Sequence, residues 1–281
     1  NLILTSPPFA LTRKKEYGNQ DEDKYIEWFL PFAHEFRRVL TPDGSFVLDL
    51  GGAYLPGKPI RSIYQFELLV HLCKEVGFFL AQDLYHYNPA RLPSPAEWVN
   101  VRRIRVKDSV NVVWWLSKGE NPKADNRRVL KPYSDSMLDL LKNGYKAKLR
   151  PSGWDISEKF SRNNGGAIPP SLLTPVDDDA PLNVLSIANT ESNSAYLRRC
   201  KMAGIKPHPA RFAAPFAEFF IKFLTDENDL VLDPFAGSNT TGFVAESLNR
   251  QWIAFELVQE YLEGSRYRFE EVAVSALTGP C

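Results

Sequence analysis

Two short stretches carry residue types that could do chemistry together. The first is Ser6-Pro7-Pro8-Phe9-Ala10, which follows the apolar run Leu2-Ile3-Leu4 and Thr5. Two consecutive prolines remove two backbone donors and fix φ at each position, so the turn is stiff and its carbonyl oxygens stay free to accept. With a serine hydroxyl on one side and a phenyl ring on the other, it forms a rigid acceptor platform under an aromatic lid. The second is Asp233-Pro234-Phe235-Ala236-Gly237-Ser238-Asn239-Thr240, a small-residue turn between the apolar run Leu230-Val231-Leu232 and a helix. Turns at strand C-termini are where open α/β sheets hold nucleotide-like ligands, because small residues admit the ligand to the backbone and the helix start offers unpaired donors. The turn lacks the lysine of a phosphate-binding P-loop, and Asn239 stands where a dinucleotide fingerprint has its middle glycine. Glu256 ends the next apolar run about twenty residues on, the place of an acid that accepts from a ribose diol. An adenosine-type cofactor held without a phosphate lysine is expected, and S-adenosylmethionine fits best.

These stretches need strands to present them and helices to cover those strands. Tyr25, Trp28, Phe29, Phe32, Phe36, Val39 and Leu40 recur at helical spacing, as do Ile63, Phe66, Leu69, Val70, Cys73 and Val76 before Gly77. Between and after them, the runs 45–52, 78–85 and 110–119 read as strands. From 119 to 206 the periodicity fades into Pro, Gly and Ser clusters and an acidic run at Asp177-Asp178-Asp179. Order returns with a helix from Ala214, strands at 230–233 and 251–257, and helices to about Leu248 and from Gln259. The alternation predicts an α/β fold, a mostly parallel twisted sheet with helices on both faces. Three segments are expected: 1–118 and 207–281 as two halves of one domain, and 119–206 as a smaller loop-rich module.

The 281 residues, 44% apolar, can bury a sizeable core. Cys73, Cys200 and Cys281 are scattered, the four histidines likewise, so no metal site or disulfide framework is expected. No apolar run approaches the ~20 residues of a membrane span and no leader-like segment is seen, so a cytoplasmic protein is expected. Net charge is zero, but residues 88–206 hold 20 basic and 12 acidic groups against 14 and 22 elsewhere. An asymmetry of +8 against −8 points the middle of the chain at a polyanion.

Ser6 to Phe9, Asp233 to Gly242 and the run Lys206 to Phe212 (KPHPARF) together resemble the amino-group DNA methyltransferases of restriction–modification systems. With the platform N-terminal and the cofactor turn C-terminal, the order is that of the circularly permuted β class, and the chain is most similar to the PvuII type of cytosine-N4 enzyme. The resemblance implies that Ser6 and the Pro7 carbonyl accept from the target amino group and that Phe9 stacks on the extruded base. It implies that Asp233, Phe235 and Gly237 shape the cofactor pocket, Glu256 holds the ribose, His208 and Pro209 close the methionine end, and Asp49 lines the same cleft. The family's last turn glycine is replaced by Asn239. The strand before Ser6 begins almost at residue 1, so the acidic partner that relatives supply from upstream to the cofactor adenine is expected to lie beyond this chain or to be replaced.

The implied substrate is double-stranded DNA with a short specific site, and a functionally paired restriction endonuclease is a possible partner. Phosphate and guanine contacts are expected from Arg13, Lys14 and Lys15 after the platform, from Arg102 and Arg103, and from Arg127, Arg128, Lys146, Lys148 and Arg150 in the loop-rich module. Methylation at carbon-5 of cytosine needs a thiolate, there set in a Pro-Cys pair. The only such pair here is Pro280-Cys281, far from both motifs. Two alternatives remain open: an adenine-N6 methyltransferase, which usually has an acid or amide in place of Ser6, and an inactive DNA-binding specificity subunit.

Overall fold

In the first strand, β1 (Leu2–Thr5), Leu2 and Leu4 enter one core while Ile3 enters another, as the two-residue period of a strand buried on both faces requires. The computed structural model describes residues 1–10, 18–88, 91–144, 162–174, 185–186, 194–211 and 213–269. Its strands continue as β2 (Ser45–Leu50), β3 (Phe79–Tyr87), β4 (Val110–Ser117), β5 (Leu172–Thr174), β6 (Leu185–Ser186), β7 (Leu230–Asp233) and β8 (Gln251–Ala254). They form one sheet in the order β6-β5-β3-β4-β2-β1-β7-β8. β1 pairs in parallel with β2 and β7, β7 with β8, β3 with β5 and β5 with β6, while β4 runs antiparallel between β2 and β3. The mostly parallel sheet is as the alternating pattern predicts.

One face is covered by α1 (Tyr25–Val39) and α2 (Tyr64–Lys74), whose Phe29, Phe36, Leu68 and Leu72 pack with Ile3, Phe46, Leu48 and Trp114. On the other face α5 (Ala214–Leu224) sets Phe216, Phe220 and Leu224 on Leu2, Leu4, Val47 and Val231, with α6 (Thr240–Ser247) beside it. The remaining helices are α3 (Asp135–Asn143), α4 (Ala195–Met202) and α7 (Gln259–Ser265). No helix of the described residues is long and apolar enough to cross a membrane, and no group of three or more potential metal ligands occurs among them.

The structure differs from the sequence expectation in two places. The strand expected over 251–257 ends at Ala254, and the chain then turns across the neighbouring loop, with Phe255 N donating to Asp233 O and Ala236 N to Phe255 O. The described parts of 119–206 are joined to the sheet rather than set apart from it. β5 pairs with β3 through Tyr85↔Leu172, and α4 packs on the C-terminal part through its buried Tyr196 and Cys200. Arg199 of α4 donates to Tyr267 O.

Candidate active site

The C-terminal ends of β1, β2 and β7 lie side by side, because the three strands are parallel and β1 is central. They carry Ser6, Asp49 and Asp233. The Ser6 hydroxyl is 3.5 Å from Asp49 Oδ2, at the outer limit of hydrogen bonding. Asp49 is only 4% exposed, and its Oδ1 has no hydrogen bond of ordinary geometry. Burial pushes this carboxyl up, against the opposing pull of His86, the Asn111 amide, Arg91 and Ser6 itself. Expected on the cofactor cleft, Asp49 stands against the platform hydroxyl.

The platform is clasped from outside. Asn19 Nδ2 donates to Phe9 O at 2.7 Å, and the Phe9 ring lies close enough to Gly51 that a Cβ there would come within 2.5 Å of the ring. Tyr64 OH donates to the Gly51 carbonyl. Any side chain at position 51 would therefore push Phe9 out of its seat.

Asp233 ties the platform strand to the cofactor turn. Its Oδ1 accepts from Thr5 Oγ1 at 2.7 Å and from Phe235 N at 3.1 Å, and its Oδ2 accepts from Thr241 Oγ1 at 2.7 Å. The carboxyl is fully buried and burial pushes it up to about 6, in spite of the hydroxyls of Thr241 and Thr5. One side chain thus adds to the β1–β7 backbone pairing in setting the distance between acceptor platform and cofactor turn.

The turn fits a phosphate-free nucleoside cofactor. Gly237 has φ of +53°, and a Cβ there would lie 3.0 Å from the His208 ring, so this position needs glycine twice over. Asn239, the departure from the family's glycine, also has a left-handed φ of +54°, which asparagine tolerates, and its Oδ1 caps α6 by accepting from Gly242 N at 3.0 Å. Glu256 Oε2 accepts from Gly237 N at 2.8 Å and Oε1 from Val258 N at 2.9 Å, and each oxygen has a further lone pair to offer. The Phe235 ring packs against Trp28 and Phe32 of α1. His208 meets Tyr261 edge-on at 4.5 Å, and burial lowers its pKa. Pro234, Ala236, Ser238 and Thr240 complete the turn, the last two buried, and Pro209 follows His208.

Several contributors carry no signal in the sequence. Arg268 is buried under the turn, donating to Ser238 O at 2.7 Å and Ser238 Oγ at 2.8 Å, with its guanidinium over the Tyr196 ring at 4.4 Å. Tyr196 OH accepts from His208 N at 3.3 Å, so α4 reaches the cofactor turn from both sides.

The cations expected on DNA separate into three groups. Arg13, Lys14, Lys15, Lys146, Lys148 and Arg150 lie outside the described residues. Arg127 and Arg128 stand at the N-terminal ends of the parallel strands, the far end from Ser6: Arg127 is paired with Asp125, and Arg128 with Asp226 and the Thr225 carbonyl just ahead of β7. Arg102 and Arg103 lie in the segment joining β3 to β4, at the same end of the sheet as Ser6.

This site and sheet define a class. Residues 1–266 match the N6/N4 family model described as DNA methylase, and the chain belongs to that family. The Type II methyltransferase M.PvuII of Proteus hauseri is 55% identical over 278 residues, spanning 98% of this chain and 79% of the relative. M.HpaI of Haemophilus parainfluenzae is 26% identical, spanning 96% and 68%. Among solved structures, a PvuII DNA methyltransferase described as cytosine-N4-specific superposes with a TM-score of 0.72 at 50% identity, over 95% of this chain and 78% of that one. The fold is that of the S-adenosylmethionine-dependent methyltransferases in permuted motif order.

Proposed function

We propose that this chain is a site-specific DNA methyltransferase that moves a methyl group from S-adenosylmethionine to the exocyclic N4 of cytosine in double-stranded DNA. The observation that carries the reading is Ser6 set beside the buried Asp49 on β1 and β2, one strand from a cofactor turn to which β1 is tied through Thr5 and Asp233. The 55% identity to a Type II methyltransferase over nearly the whole chain supports it. When bound, S-adenosylmethionine supplies an electrophilic methyl group on a sulfonium centre.

The rest is done by the chain. The N4 lone pair of cytosine is delocalised into the ring, which makes it a poor nucleophile. Ser6 and the Pro7 carbonyl accept from the two N–H bonds and hold them out of the ring plane, which localises the lone pair and aims it at the methyl group. The methylated amino group would have to lose a proton, and the Ser6 hydroxyl, 3.5 Å from Asp49 Oδ2, is placed to pass it to that buried carboxylate. No covalent enzyme intermediate is needed. The base must leave the duplex to reach Ser6, at a cost of a few kcal/mol that stacking on Phe9 offsets.

Residues 119–206 are assigned to reading the site, and residues 1–118 and 207–281 to the catalytic and cofactor halves. The cytoplasm is the proposed location of an enzyme with this substrate. The endonuclease whose cutting such a methylation would block is its functional counterpart.

Nucleosides from DNA incubated with enzyme and cofactor should contain N4-methylcytosine by mass spectrometry. N6-methyladenine as the sole product would replace cytosine by adenine, and no product at saturating cofactor would favour a catalytically silent specificity subunit. In the cofactor site, Glu256→Ala should weaken S-adenosylmethionine binding by about 1.5–3 kcal/mol, the range for hydrogen bonds to a charged group. An unchanged dissociation constant by calorimetry would remove Glu256 from the cofactor.

A further inference from the structure

The segment between β3 and β4 rises from the end of the sheet that holds Ser6, since β3 runs parallel to β1 and β2 and β4 returns antiparallel. It is clipped to the loop after β2 that seats Phe9. Arg105 Nη1 donates to Pro59 O at 2.6 Å and its guanidinium lies 4.8 Å from the Tyr54 ring centre. Asp108 accepts from Tyr54 OH at 2.5 Å and from Arg61 Nη1 at 3.1 Å, and the Arg61 guanidinium packs directly on Gly52, next to the glycine under Phe9. Arg105 and Arg61 are therefore engaged in holding the segment in register with the platform.

What the clip presents outward is unlike an ordinary solvated loop. Val101, Ile104 and Val106 are 70%, 57% and 85% exposed, with exposed cations between them. Arg102 lies over the Trp98 ring at 4.9 Å and its Nε donates to Glu97 Oε1 at 2.9 Å, yet the side chain stays exposed. Arg103 holds φ of +54°. A left-handed arginine is strained where glycine or asparagine would not be; such strain persists only where the surrounding structure holds it, and it clusters at functional sites.

We propose that residues 97–108 are the surface that grips the duplex beside the extruded nucleotide, with Arg102 and Arg103 on its phosphates and the bare aliphatic side chains against its sugars. The inference rests on the DNA-methyltransferase reading above and ties the contacts expected of Arg102 and Arg103 to the loop that seats Phe9, with the aliphatic side chains of 97–108 as part of the same surface. Phosphate contacts fix where the duplex lies without reading sequence, so a surface bolted to the Phe9 loop sets the target base over the platform whatever the flanking sequence.

The test is the salt dependence of binding to a mixed-sequence duplex of about two helical turns, together with methyl transfer to unmodified bulk DNA. Arg102→Gln with Arg103→Gly removes both cations, and glycine suits the left-handed position, so the variant should fold. Its plot of log affinity against log salt should be shallower by about two, close to one for each phosphate that the variant no longer neutralises. Its KM for DNA should rise severalfold with the KM for S-adenosylmethionine unchanged. Arg38→Gln, an exposed cation at the far end of the sheet paired with Glu35, should leave the slope as it is. A wild-type slope in the double variant, or an equal change in Arg38→Gln, overturns the proposal while the enzyme still methylates DNA. Absence of methyl transfer by the wild-type protein would instead overturn the functional reading beneath it.

Discussion

Ser6→Ala is expected to lower kcat by about two to three orders of magnitude, the range for removing one preorganised polar group from developing charge, and to leave the dissociation constant for S-adenosylmethionine within about twofold. The asymmetry follows from placement. Ser6 sits at the tip of β1 beside Asp49, whereas the cofactor turn is built on β7 and braced by Asp233, Glu256 and Arg268, none of which bonds to the Ser6 hydroxyl. The hydrogen bond with the amino group strengthens as the nitrogen pyramidalises, so its removal falls on the transition state more than on ground-state binding. Single-turnover kinetics and calorimetry on the same protein decide it. A fall confined to cofactor affinity, with the rate at saturation unchanged, would take Ser6 out of the reaction.

Asp233→Ala should cost about 3–5 kcal/mol of folding stability, because it strands the Thr5 and Thr241 hydroxyls and the Phe235 N–H in a buried place. Asp233→Asn should be tolerated far better. Its amide oxygen can keep Thr5 and Phe235 N–H while its amino group donates to Thr241, whose hydroxyl can turn to accept. The pair also separates by pH. The folded-state carboxyl is raised to about 6 from an ordinary 3.8, so between these values the folded protein binds the proton and the unfolded chain does not. Its contribution is therefore full below the unfolded value and lost as pH rises through the folded one, a decline of roughly 3 kcal/mol between about pH 4 and pH 6. Denaturant midpoints across that window should show the decline in the wild-type protein relative to Asp233→Asn. Parallel curves would mean that the carboxyl is ionised throughout.

Much of the sheet was legible because its signals are local. β4 and β7 are largely apolar, β-branched or aromatic runs bounded by turns, α1 and α5 repeat aromatic residues at helical spacing, and α2 repeats mainly aliphatic ones. The two turns that build the site announced themselves through prolines, glycine and small residues. What could not be read were contacts made across the chain. Thr5 and Asp233 are 228 residues apart, Ser238 and Arg268 belong to separate elements, and nothing in a threonine before Ser6 says that it donates to a carboxylate near the other end of the chain. Nor does the sequence tell the cations apart by place: Arg127 and Arg128, with Asp125 and Asp226, stand at the far end of the sheet, while Arg103 and Arg102, the latter on Glu97, stand at the end that holds Ser6.

The central place of β1 bears on how the protein is made. β1 pairs with β2 some forty residues on, but its other edge stays without β7 until residues 230–233 have been synthesised. For most of translation the emerging chain therefore displays an apolar strand edge of the kind that pairs with other chains. Contacts of such long sequence separation also slow the final closure of a sheet. Leu230 closes that edge by donating to Asn1 Oδ1 while its carbonyl accepts from the Asn1 backbone nitrogen, and only then do Thr5 and Asp233 meet. The link between the Ser6 strand and the cofactor turn therefore forms only after residues 230–241 have joined the sheet.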